Sequence, residues 1–382
     1  MKKEKQLAII SQVLSALDDQ ENTFVDGTTK TIDSTRYVDC DRFEQEKEKL
    51  FKQYPIVVGA ASRLEKEGDY FLHEALGVPI VVIKGNDGRL RAFLNSCRHR
   101  GVKLLTAPQG NIRRNIICPY HAWTYDLQGC LKTVFHSQGF VDVSKESHSL
   151  IELDCWVRLG MVFVLPDVQL KGTVDLDAWL EEVAEQTEGF DFGDLVAHAF
   201  SQEILPFNWK LLVDGALEGY HFKIAHAQTI GPYFLDNMSI PMEAKIHSSI
   251  VFPKKNLEKL KTIPKAQWDL RQVANILIHL FPNVILLIEP DHIMVVSFVP
   301  LSPTQTQYHA FMLLPKGVET EKEASYWALN EKIFWDAIEE DNTMAALQQK
   351  SFSMYSNQQL TVGSFESLLY QFEAKVDEIL QS

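Results

Sequence analysis

Hydrophobic residues near the start of the chain recur at helical spacing. Leu7, Ile10, Leu14 and Leu17 stand three or four positions apart with mostly polar or small residues between them, which predicts a short amphipathic helix. The charged N-terminus resembles that of a signal peptide, but polar residues interrupt the apolar run that would have to follow it. A charged stretch over residues 41–53, with occasional large apolar side chains, predicts a second helix.

From about residue 55 the hydrophobic pattern changes to short runs of strand length. The apolar runs that turn residues separate are Ile56–Val58, Ile80–Ile83, Leu90–Leu94 and Trp123–Tyr125. The run Trp156–Leu165, which Pro166 follows, is interpreted as one closing strand. Gly, Asn and Asp between the runs favour tight turns. The pattern predicts an all-β domain of antiparallel strands.

Beyond Pro166, longer helical and strand patterns alternate. Residues 167–195 are acidic and place several apolar side chains on one helical face, which are Leu176, Trp179, Leu180 and Val183. Strand-like runs follow at residues 284–288, 293–299 and 307–314, and residues 319–349 predict a long helix. The chain is therefore predicted to be α+β. Its predicted divisions are a helical segment over residues 1–45, an all-β domain over 46–166 and a second domain over 167–382.

Composition and charge exclude several classes of protein. The chain has 382 residues, is 46% hydrophobic and carries a net charge of -14. So acidic a protein is not expected to bind nucleic acid, and no apolar run approaches the length of a membrane span. The five cysteines lack the spacing of a disulfide framework. A reducing compartment and a cytoplasmic location are therefore predicted.

Two pairs of metal-ligand residues stand close together in the predicted all-β domain. Cys97 and His99 form one pair, and Cys118 and His121 form the other. Zinc fingers usually present a Cys pair followed by a His pair. A mixed pair on each loop instead suits a Rieske 2Fe-2S cluster, in which two thiolates hold one iron and two imidazoles hold the other. A structural zinc site and ordinary buried Cys and His residues are the alternatives.

A second group of ligand-type residues consists of Glu218, His221 and His226. Two His residues near a carboxylate suggest part of a 2-His-1-carboxylate site, the ligand set of non-haem Fe(II) oxygenases. On a regular helix, side chains five positions apart point about 140° apart, so the helix must end or bulge between the two His residues. The alternative is that Glu218 is a solvated helix residue and His221 a core residue.

A third ligand, a carboxylate, is expected far along the chain. One face of the predicted helix 319–349 carries the apolar residues Trp327, Phe334, Ile338 and Ala345. Asp341 falls on that face, and a carboxylate pointed into a core needs a cation such as iron beside it. Glu339 and Glu340 are expected to face more toward solvent. The alternative is that Asp341 is an ordinary solvated acid near the end of a helix.

At these residues the sequence resembles the Rieske non-haem iron oxygenases, specifically their large catalytic (alpha) subunit. The resemblance implies that Cys97 and Cys118 hold one iron of a 2Fe-2S cluster and that His99 and His121 hold the other. It covers nearly the whole chain, from about residue 45 to residue 350.

The downstream residues carry the same resemblance. The stretch Asn208-Trp209-Lys210 followed by Glu218, His221 and His226 resembles a family pattern that holds two iron ligands, and the acidic run ending at Asp341 resembles the family's late acidic segment. The resemblance thus implies a mononuclear non-haem Fe(II) held by His221, His226 and Asp341. Many family members carry Asp where this chain has Glu218. The carboxylate there is implied to bridge the iron and the cluster of a neighbouring subunit.

The resemblance also implies a function and an assembly. It implies a terminal oxygenase component that uses O2, and electrons from a separate NAD(P)H-dependent reductase or ferredoxin, to hydroxylate a small organic substrate. An antiparallel-sheet helix-grip catalytic domain is implied to follow the all-β Rieske domain, and a homotrimeric ring joined head to tail is implied. Basic residues near the cluster loops are a candidate docking surface for the electron donor. They are Arg98, Arg100, Lys103, Arg113 and Arg114.

Several readings of the substrate and the activity remain open. The apolar residues interpreted as lining a substrate cavity, or alternatively as plain core, are Phe222, Phe234, Met238, Ile250, Ile276, Leu277 and Phe281. An aromatic substrate is the main prediction, and a quaternary ammonium compound that undergoes demethylation is the alternative. Two other classes are a Rieske electron carrier without oxygen chemistry and a helix-grip ligand-binding module with a structural zinc.

Overall fold

The computed structural model describes residues 1–19, 27–187, 195–242, 245–317, 324–355 and 358–382. They form two compact units. The first, Phe51–Leu176, is called the β unit. The second joins Met1–Leu50 to Asp177–Ser382 and is called the α+β unit. The predicted division into residues 1–45, 46–166 and 167–382 stays a prediction.

The described helices and strands have the following bounds. The helices are α1 Lys3–Asp18, α2 Cys40–Glu46, α3 Leu176–Trp179, α4 Glu181–Thr187, α5 Lys210–Ala216, α6 Phe222–Ala225, α7 Leu270–Val273, α8 Ala324–Met354 and α9 Ser367–Gln381. The first strands are β1 Lys30–Asp33, β2 Ile56–Ala60, β3 Asp69–Ala75, β4 Val78–Lys84, β5 Leu90–Leu94, β6 Gln109–Asn111, β7 Asn115–Ile117, β8 Thr124–Asp126, β9 Leu131–Thr133, β10 Glu152–Arg158 and β11 Met161–Leu165. The later strands are β12 Leu195–Leu205, β13 Ile240–Met242, β14 Ser248–Pro253, β15 Ala274–Leu280, β16 Val284–Ile288, β17 Ile293–Ser302, β18 Gln305–Pro315 and β19 Gln359–Val362.

The β unit is built on two antiparallel sheets. A seven-stranded sheet has the order β2-β11-β10-β5-β4-β3-β6, and a three-stranded sheet has the order β7-β8-β9. Each strand of the small sheet sends one large apolar side chain into the core, namely Ile116, Tyr125 and Leu131. Cys97 lies just after β5, and the loop that begins at Cys118 joins β7 to β8. The small sheet therefore fixes one of the two metal-ligand loops.

The prediction of one strand over residues 156–165 is wrong. The chain turns back at Leu159 and Gly160, and β10 pairs with β11 as a hairpin in which Arg158 lies opposite Met161. Both turn residues have a positive φ, 53° at Leu159 and 72° at Gly160. Two-residue hairpins of this kind require positive φ at both central positions, and glycine supplies it at no steric cost.

The α+β unit is built on a second seven-stranded antiparallel sheet. Its order is β12-β18-β17-β16-β15-β14-β13, and all seven residues of β15 are buried. The 31-residue helix α8 contributes Trp327 to a buried cluster with side chains of β17 and β18. A two-stranded pair of β1 and β19 completes the unit. The predicted fold class, an all-β unit and an antiparallel-sheet unit with long helices, is confirmed.

The predicted helices form with some changes at their ends. The first is α1, which buries Ile9, Ile10 and Val13, and the second is α2, which a π-helical turn over Lys47–Phe51 extends. The helix predicted within residues 167–195 is divided into α3 and α4, and residues 188–194 lie outside the described residues. The long helix predicted from 319 is α8. Residues 318–323 lie outside the described part of the chain.

Within the described ranges, no helix combines the length and the apolar character that crossing a membrane requires.

Candidate functional site

Each Cys-His pair of the β unit lies on a loop closed by backbone hydrogen bonds. In the first loop, Gly101 N donates to Cys97 O at 2.8 Å. In the second, Cys118 N donates to Trp123 O at 2.8 Å and Ala122 N donates to Cys118 O at 3.0 Å. Gly101 and Ala122 have positive φ of 70° and 56°. The two loops are therefore tight turns that begin with a cysteine.

The four side chains on these loops face one another. Cys97 and Cys118 are buried in the same core cluster, and the ring centroids of His99 and His121 lie 4.7 Å apart. The Nδ1 atoms of both imidazoles are buried without a hydrogen-bond partner in the described structure. Buried polar atoms normally have partners. Two unpartnered imidazole nitrogens beside two buried thiols are the donor set that a Rieske cluster needs.

The local environment favours a neutral imidazole at His99 and an uncharged thiol at Cys97. Burial, and after it the charges of His121 and Arg100, lower the pKa of His99, so its lone pair is free for a metal. Burial raises the pKa of the Cys97 thiol. Among the described residues, the one group of three or more donors that converges on a single point is His221, His226 and Asp341.

The second centre belongs to the α+β unit, where Asn208-Trp209-Lys210 anchors the start of α5. Lys210 Nζ and Trp209 Nε1 both donate to the buried carboxylate of Glu46 on α2, at 2.7 and 2.9 Å. Asn208 N donates to Gln349 Oε1 of α8 at 2.8 Å. The motif thus ties α5 to α2 and α8, and Glu218 follows at the end of α5.

His221 and His226 flank the four-residue helix α6. His226 leaves the helical conformation, with φ -100° and ψ 27°, so the two imidazoles converge although they are five residues apart. Their Nε2 atoms lie 3.2 Å apart. Gly231 N donates to His226 O at 2.9 Å, and a Cβ on Gly231 would lie 2.4 Å from Phe222 O. Glycine is needed there because the backbone passes so close to α6.

Asp341 of α8 completes a group of three donors. Its Oδ1 lies 3.0 Å from His226 Nε2 and 3.5 Å from His221 Nε2. Ligands about 2.1 Å from one ion, with right angles between them, would be about 3.0 Å apart. The observed separations of 3.0, 3.2 and 3.5 Å are close to this value. The geometry fits one face of a six-coordinate iron and leaves the opposite positions open.

Both imidazoles are held by carboxylates on their other nitrogens. Glu218, which is buried, hydrogen-bonds His221 Nδ1 and also accepts from the backbone N–H of Tyr220. Glu340 Oε2 accepts from His226 Nδ1 at 2.7 Å and from the Thr229 hydroxyl at 2.5 Å. In a neutral imidazole these contacts favour the tautomer with the proton on Nδ1, which leaves each Nε2 available to a metal.

The expectation that Glu340 faces more toward solvent than Asp341 is therefore wrong. Its side chain is 27% exposed and that of Asp341 is 40% exposed, whereas Glu339 is exposed as expected. Helical spacing places Glu340 beside the face of Asp341, and a carboxylate there reaches an imidazole from another element. Sequence periodicity could not show that partner because His226 is 114 residues away.

Hydrogen bonding to carboxylates gives this centre a strong preference for positive charge. Burial opposes protonation of His221, but its hydrogen bonds to Asp341 and Glu218 outweigh burial and raise its pKa to about 10. Burial also acts to lower the pKa of His226, but the hydrogen bond to Asp341 outweighs burial and raises it. Burial would raise the pKa of Asp341, but the two imidazoles lower it. A divalent cation bound by these residues would displace the protons and supply the positive charge that the carboxylates stabilise.

Removing the Glu340 carboxylate is expected to weaken iron binding. We expect Glu340→Ala to lower the affinity for Fe(II) by about 10–100-fold, since loss of a partner that orients a ligating His has effects of this size. Competition with a chromogenic chelator under anaerobic conditions measures the affinity. Glu339→Ala, one position away and exposed, is the matched control and should bind Fe(II) like the wild type. Equal affinities of the two variants would contradict the role of Glu340.

An apolar cavity of about 240 Å³ lies against the three donors. Of the residues predicted to line it, Phe222, Phe234 and Leu277 do so. The four others are not among its lining residues and are buried elsewhere, namely Met238, Ile250, Ile276 and Phe281. Strand alternation explains the split at β15, since Leu277 and Ile276 point to opposite faces. The sequence-based prediction missed Asn275, which lines the cavity two positions before Leu277.

The basic residues near the cluster loops are exposed, and three of them have other contacts, one being Arg100, whose guanidinium carbon lies 5.9 Å from the centroid of the Tyr120 ring. Arg98, Arg100, Arg113 and Arg114 are exposed, and Arg98 Nη2 donates to the backbone of Ser147 at 3.3 Å. Lys103 pairs with Glu74. The exposed arginines remain available to an acidic partner.

The comparisons with known proteins agree with both centres. The family described as the Rieske [2Fe-2S] domain matches residues 54–142, and the ring hydroxylating alpha subunit (catalytic domain) matches residues 176–382. The two matches confirm the predicted 2Fe-2S cluster and mononuclear non-haem iron. The assignment of individual ligands stays a prediction.

Similar sequences include two kinds of oxygenase. The chain is 34% identical over 210 residues to the carnitine monooxygenase oxygenase subunit of Acinetobacter baumannii, with 55% of each chain covered. It is 30% identical over 213 residues to the biphenyl 2,3-dioxygenase alpha subunit of Rhodococcus jostii, with 54% of this chain and 44% of the relative covered. The chain thus spans about half the length of the curated relatives it matches.

Solved structures show the same fold over nearly the whole chain. A quaternary ammonium Rieske monooxygenase superposes with a TM-score of 0.78 at 24% identity, covering 92% of this chain and 95% of that one. Naphthalene 1,2-dioxygenase from Rhodococcus sp. superposes with a TM-score of 0.76 at 16% identity, covering 98% of each chain. Because the catalytic family match extends over residues 176–382, more than half of the chain, this protein belongs to the ring hydroxylating alpha subunit family of Rieske oxygenases.

Proposed function

We propose that this protein is a terminal oxygenase component that uses O2 and electrons from a separate reductase or ferredoxin to hydroxylate a small, mostly apolar organic compound, in particular an aromatic one. The observation that carries the proposal is the convergence of His221 Nε2, His226 Nε2 and Asp341 Oδ1 against an apolar cavity. An electron carrier would need neither this donor set nor a cavity beside it.

The chain's own residues have defined roles in this proposal. Cys97, Cys118, His99 and His121 would hold the cluster, and His221, His226 and Asp341 would hold the iron. The iron, when bound, supplies the redox chemistry that activates O2. The protein positions the substrate in the cavity and excludes water from it. Glu218 keeps His221 in the correct tautomer and, as the resemblance implies, links the iron to a neighbouring subunit's cluster in a ring of three.

The cavity favours an uncharged substrate. Its lining residues include the aromatic side chains of Phe222, Phe234, Phe252 and Phe334 and, in the described part of the chain, no Lys or Arg. A carboxylate-bearing substrate such as carnitine would need a basic partner for its anionic group. The sequence similarity to a carnitine monooxygenase oxygenase subunit supports a quaternary ammonium compound as the second candidate, since aromatic rings bind such cations.

Two further parts of the proposal concern the partner and the compartment. The exposed arginines Arg98, Arg100, Arg113 and Arg114 would receive an acidic electron donor by charge complementarity. All five cysteines are unpaired thiols in the structure, which supports a reducing, cytoplasmic compartment.

The test is incorporation of ¹⁸O from ¹⁸O2 into product. The iron- and cluster-loaded protein is supplied with NADH and a surrogate reductase, and toluene, indole and choline are offered separately. We expect ¹⁸O in the product of at least one aromatic compound. Formation of formaldehyde together with the demethylated amine, from choline alone, would favour the second candidate. NADH oxidation with no ¹⁸O in any product would contradict the oxygenase proposal and favour an electron carrier.

A further inference from the structure

The floor of the cavity is an array of side chains from four adjacent strands. Leu277 of β15 lies opposite Leu287 of β16, which lies opposite Met294 of β17. Phe252 of β14 lies opposite Asn275 of β15. The floor residues that line the cavity are Phe252, Asn275, Leu277, Ile285, Leu287, Met294 and Val296. Asn275 is the polar residue in this apolar array.

A hydrogen bond to Glu289 fixes the orientation of the Asn275 amide. Its Nδ2 donates to Glu289 Oε1 at 2.5 Å, and Glu289 Oε2 accepts from Lys254 Nζ at 3.2 Å. A carboxylate only accepts hydrogen bonds, so the group facing Glu289 must be the NH2 of the amide. The amide oxygen therefore points away from Glu289. Lys254 keeps the carboxylate in place.

The amide oxygen of Asn275 has no partner of its own. Asn275 is 5% exposed, and its Oδ1 is buried without a hydrogen-bond partner among the described residues. Oδ1 of Asn342, a residue of α8 that also lines the cavity, is likewise buried without a partner among the described residues. Leaving a buried acceptor unpaired is costly. A ligand that donates a hydrogen bond in the cavity would remove that cost.

We propose that Asn275 determines substrate specificity by accepting a hydrogen bond from an O–H or N–H group of the substrate. This inference rests on the proposed function and narrows its substrate class to small, mostly apolar compounds that carry one hydrogen-bond donor. Substrates that present only an acceptor at this position face the lone pairs of Oδ1 and are disfavoured. The amide cannot turn to accommodate them because Glu289 holds its NH2.

Three bicyclic compounds of nearly equal size test the proposal. Indole presents an N–H donor, indene presents CH2 at the corresponding position, and benzofuran presents an acceptor oxygen. Isothermal titration calorimetry on the anaerobic protein loaded with both metals, without reductant, gives each dissociation constant. The wild type should bind indole about tenfold more tightly than indene, a ratio typical of one net hydrogen bond, and benzofuran most weakly.

Substitutions separate the amide oxygen from the shape of the cavity. Asn275→Leu, which has nearly the same shape, should bring the indole-to-indene ratio to within about twofold of unity. Ile276→Leu is the matched control on the opposite face of the same strand, outside the cavity lining, where a volume-conserving apolar exchange should leave the ratio unchanged. Glu289→Gln releases the amide from its fixed orientation, so it should lower the preference for indole and improve binding of benzofuran. The Glu289→Gln variant therefore provides a second test if Asn275→Leu fails to fold.

The outcomes are distinguishable from those for the proposed function because binding requires no turnover. Equal binding of indole and indene by the wild type would overturn the proposal, as would absence of binding to all three. A preference that survives in Asn275→Leu would overturn it as well. If the ratios behave as expected but no ¹⁸O enters any product, the oxygenase proposal fails and the assignment of Asn275 as a binding residue stands.

Discussion

Replacing His226 by alanine is expected to remove the mononuclear iron and to leave the cluster in place. His226 is 1% exposed, and its Nε2 is the donor nearest to both others, at 3.2 Å from His221 Nε2 and 3.0 Å from Asp341 Oδ1. Alanine removes one of three ligands. Loss of a residue that hydrogen-bonds a ligating His already lowers metal affinity or activity by about 10–100-fold. Loss of a ligand itself should therefore lower both the iron affinity and the activity by more than this.

Iron and acid-labile sulfide content measure this result. The wild type should hold about three irons and two sulfides per chain, two irons belonging to the cluster. His226→Ala should hold about two irons and keep the visible absorption of the cluster. Its rate of ¹⁸O incorporation should fall by more than about 100-fold. His198→Ala, at an exposed position of β12, is the control and should keep all metals. A variant that still holds three irons would show that the downstream centre is wrongly assigned.

Replacing Cys118 by alanine should abolish the cluster itself. Cys118 is buried beside Cys97 in the core of the β unit, and a Rieske cluster has two thiolate ligands on one iron. With one thiolate missing, the pair can no longer hold that iron. We expect the visible absorption to disappear, together with two irons and two sulfides per chain, and reductase-dependent oxygenation to stop.

A cysteine in the same unit provides the matched comparison. Cys130 lies at the turn between β8 and β9 and is exposed, so Cys130→Ala should keep the absorption spectrum and the activity of the wild type. Retention of the visible bands in Cys118→Ala would exclude Cys118 as a ligand. A wild type that contains zinc and shows no visible absorption would contradict the assignment of a 2Fe-2S cluster and would favour the structural zinc alternative.

The two centres differ in how far their parts lie apart along the chain. The cluster donors occupy two loops within residues 97–121, and each loop is closed by its own backbone hydrogen bonds. The iron donors come from the two residues that flank α6 and from α8, and their hydrogen-bonding carboxylates come from just after α5 and from α8 itself. The second centre therefore depends on packing between elements, including the anchor of Trp209 and Lys210 on Glu46.

The sequence by itself determined the features that rest on local spacing. Mixed Cys-His pairs in two short loops, two His residues near Glu218, and an acid on the apolar face of a long helix all follow from residue type and period. The structure brings His221, His226 and Asp341 together, and it brings the four loop residues to face one another. The strand pattern similarly predicted the sheets, because alternation and turn residues act over a few positions.

Only the tertiary structure decided the features that depend on distant partners or on backbone direction. The run at residues 156–165 looks continuous as a hydrophobic pattern, yet positive φ at Leu159 and Gly160 reverses it. Glu340 belongs to the iron centre because α8 brings its carboxylate against His226 at the end of α6. The Asn275 amide points its oxygen away from Glu289 because Lys254 and Glu289 hold its other end. A linear sequence records which groups can donate or accept, and folding decides which partner each one meets.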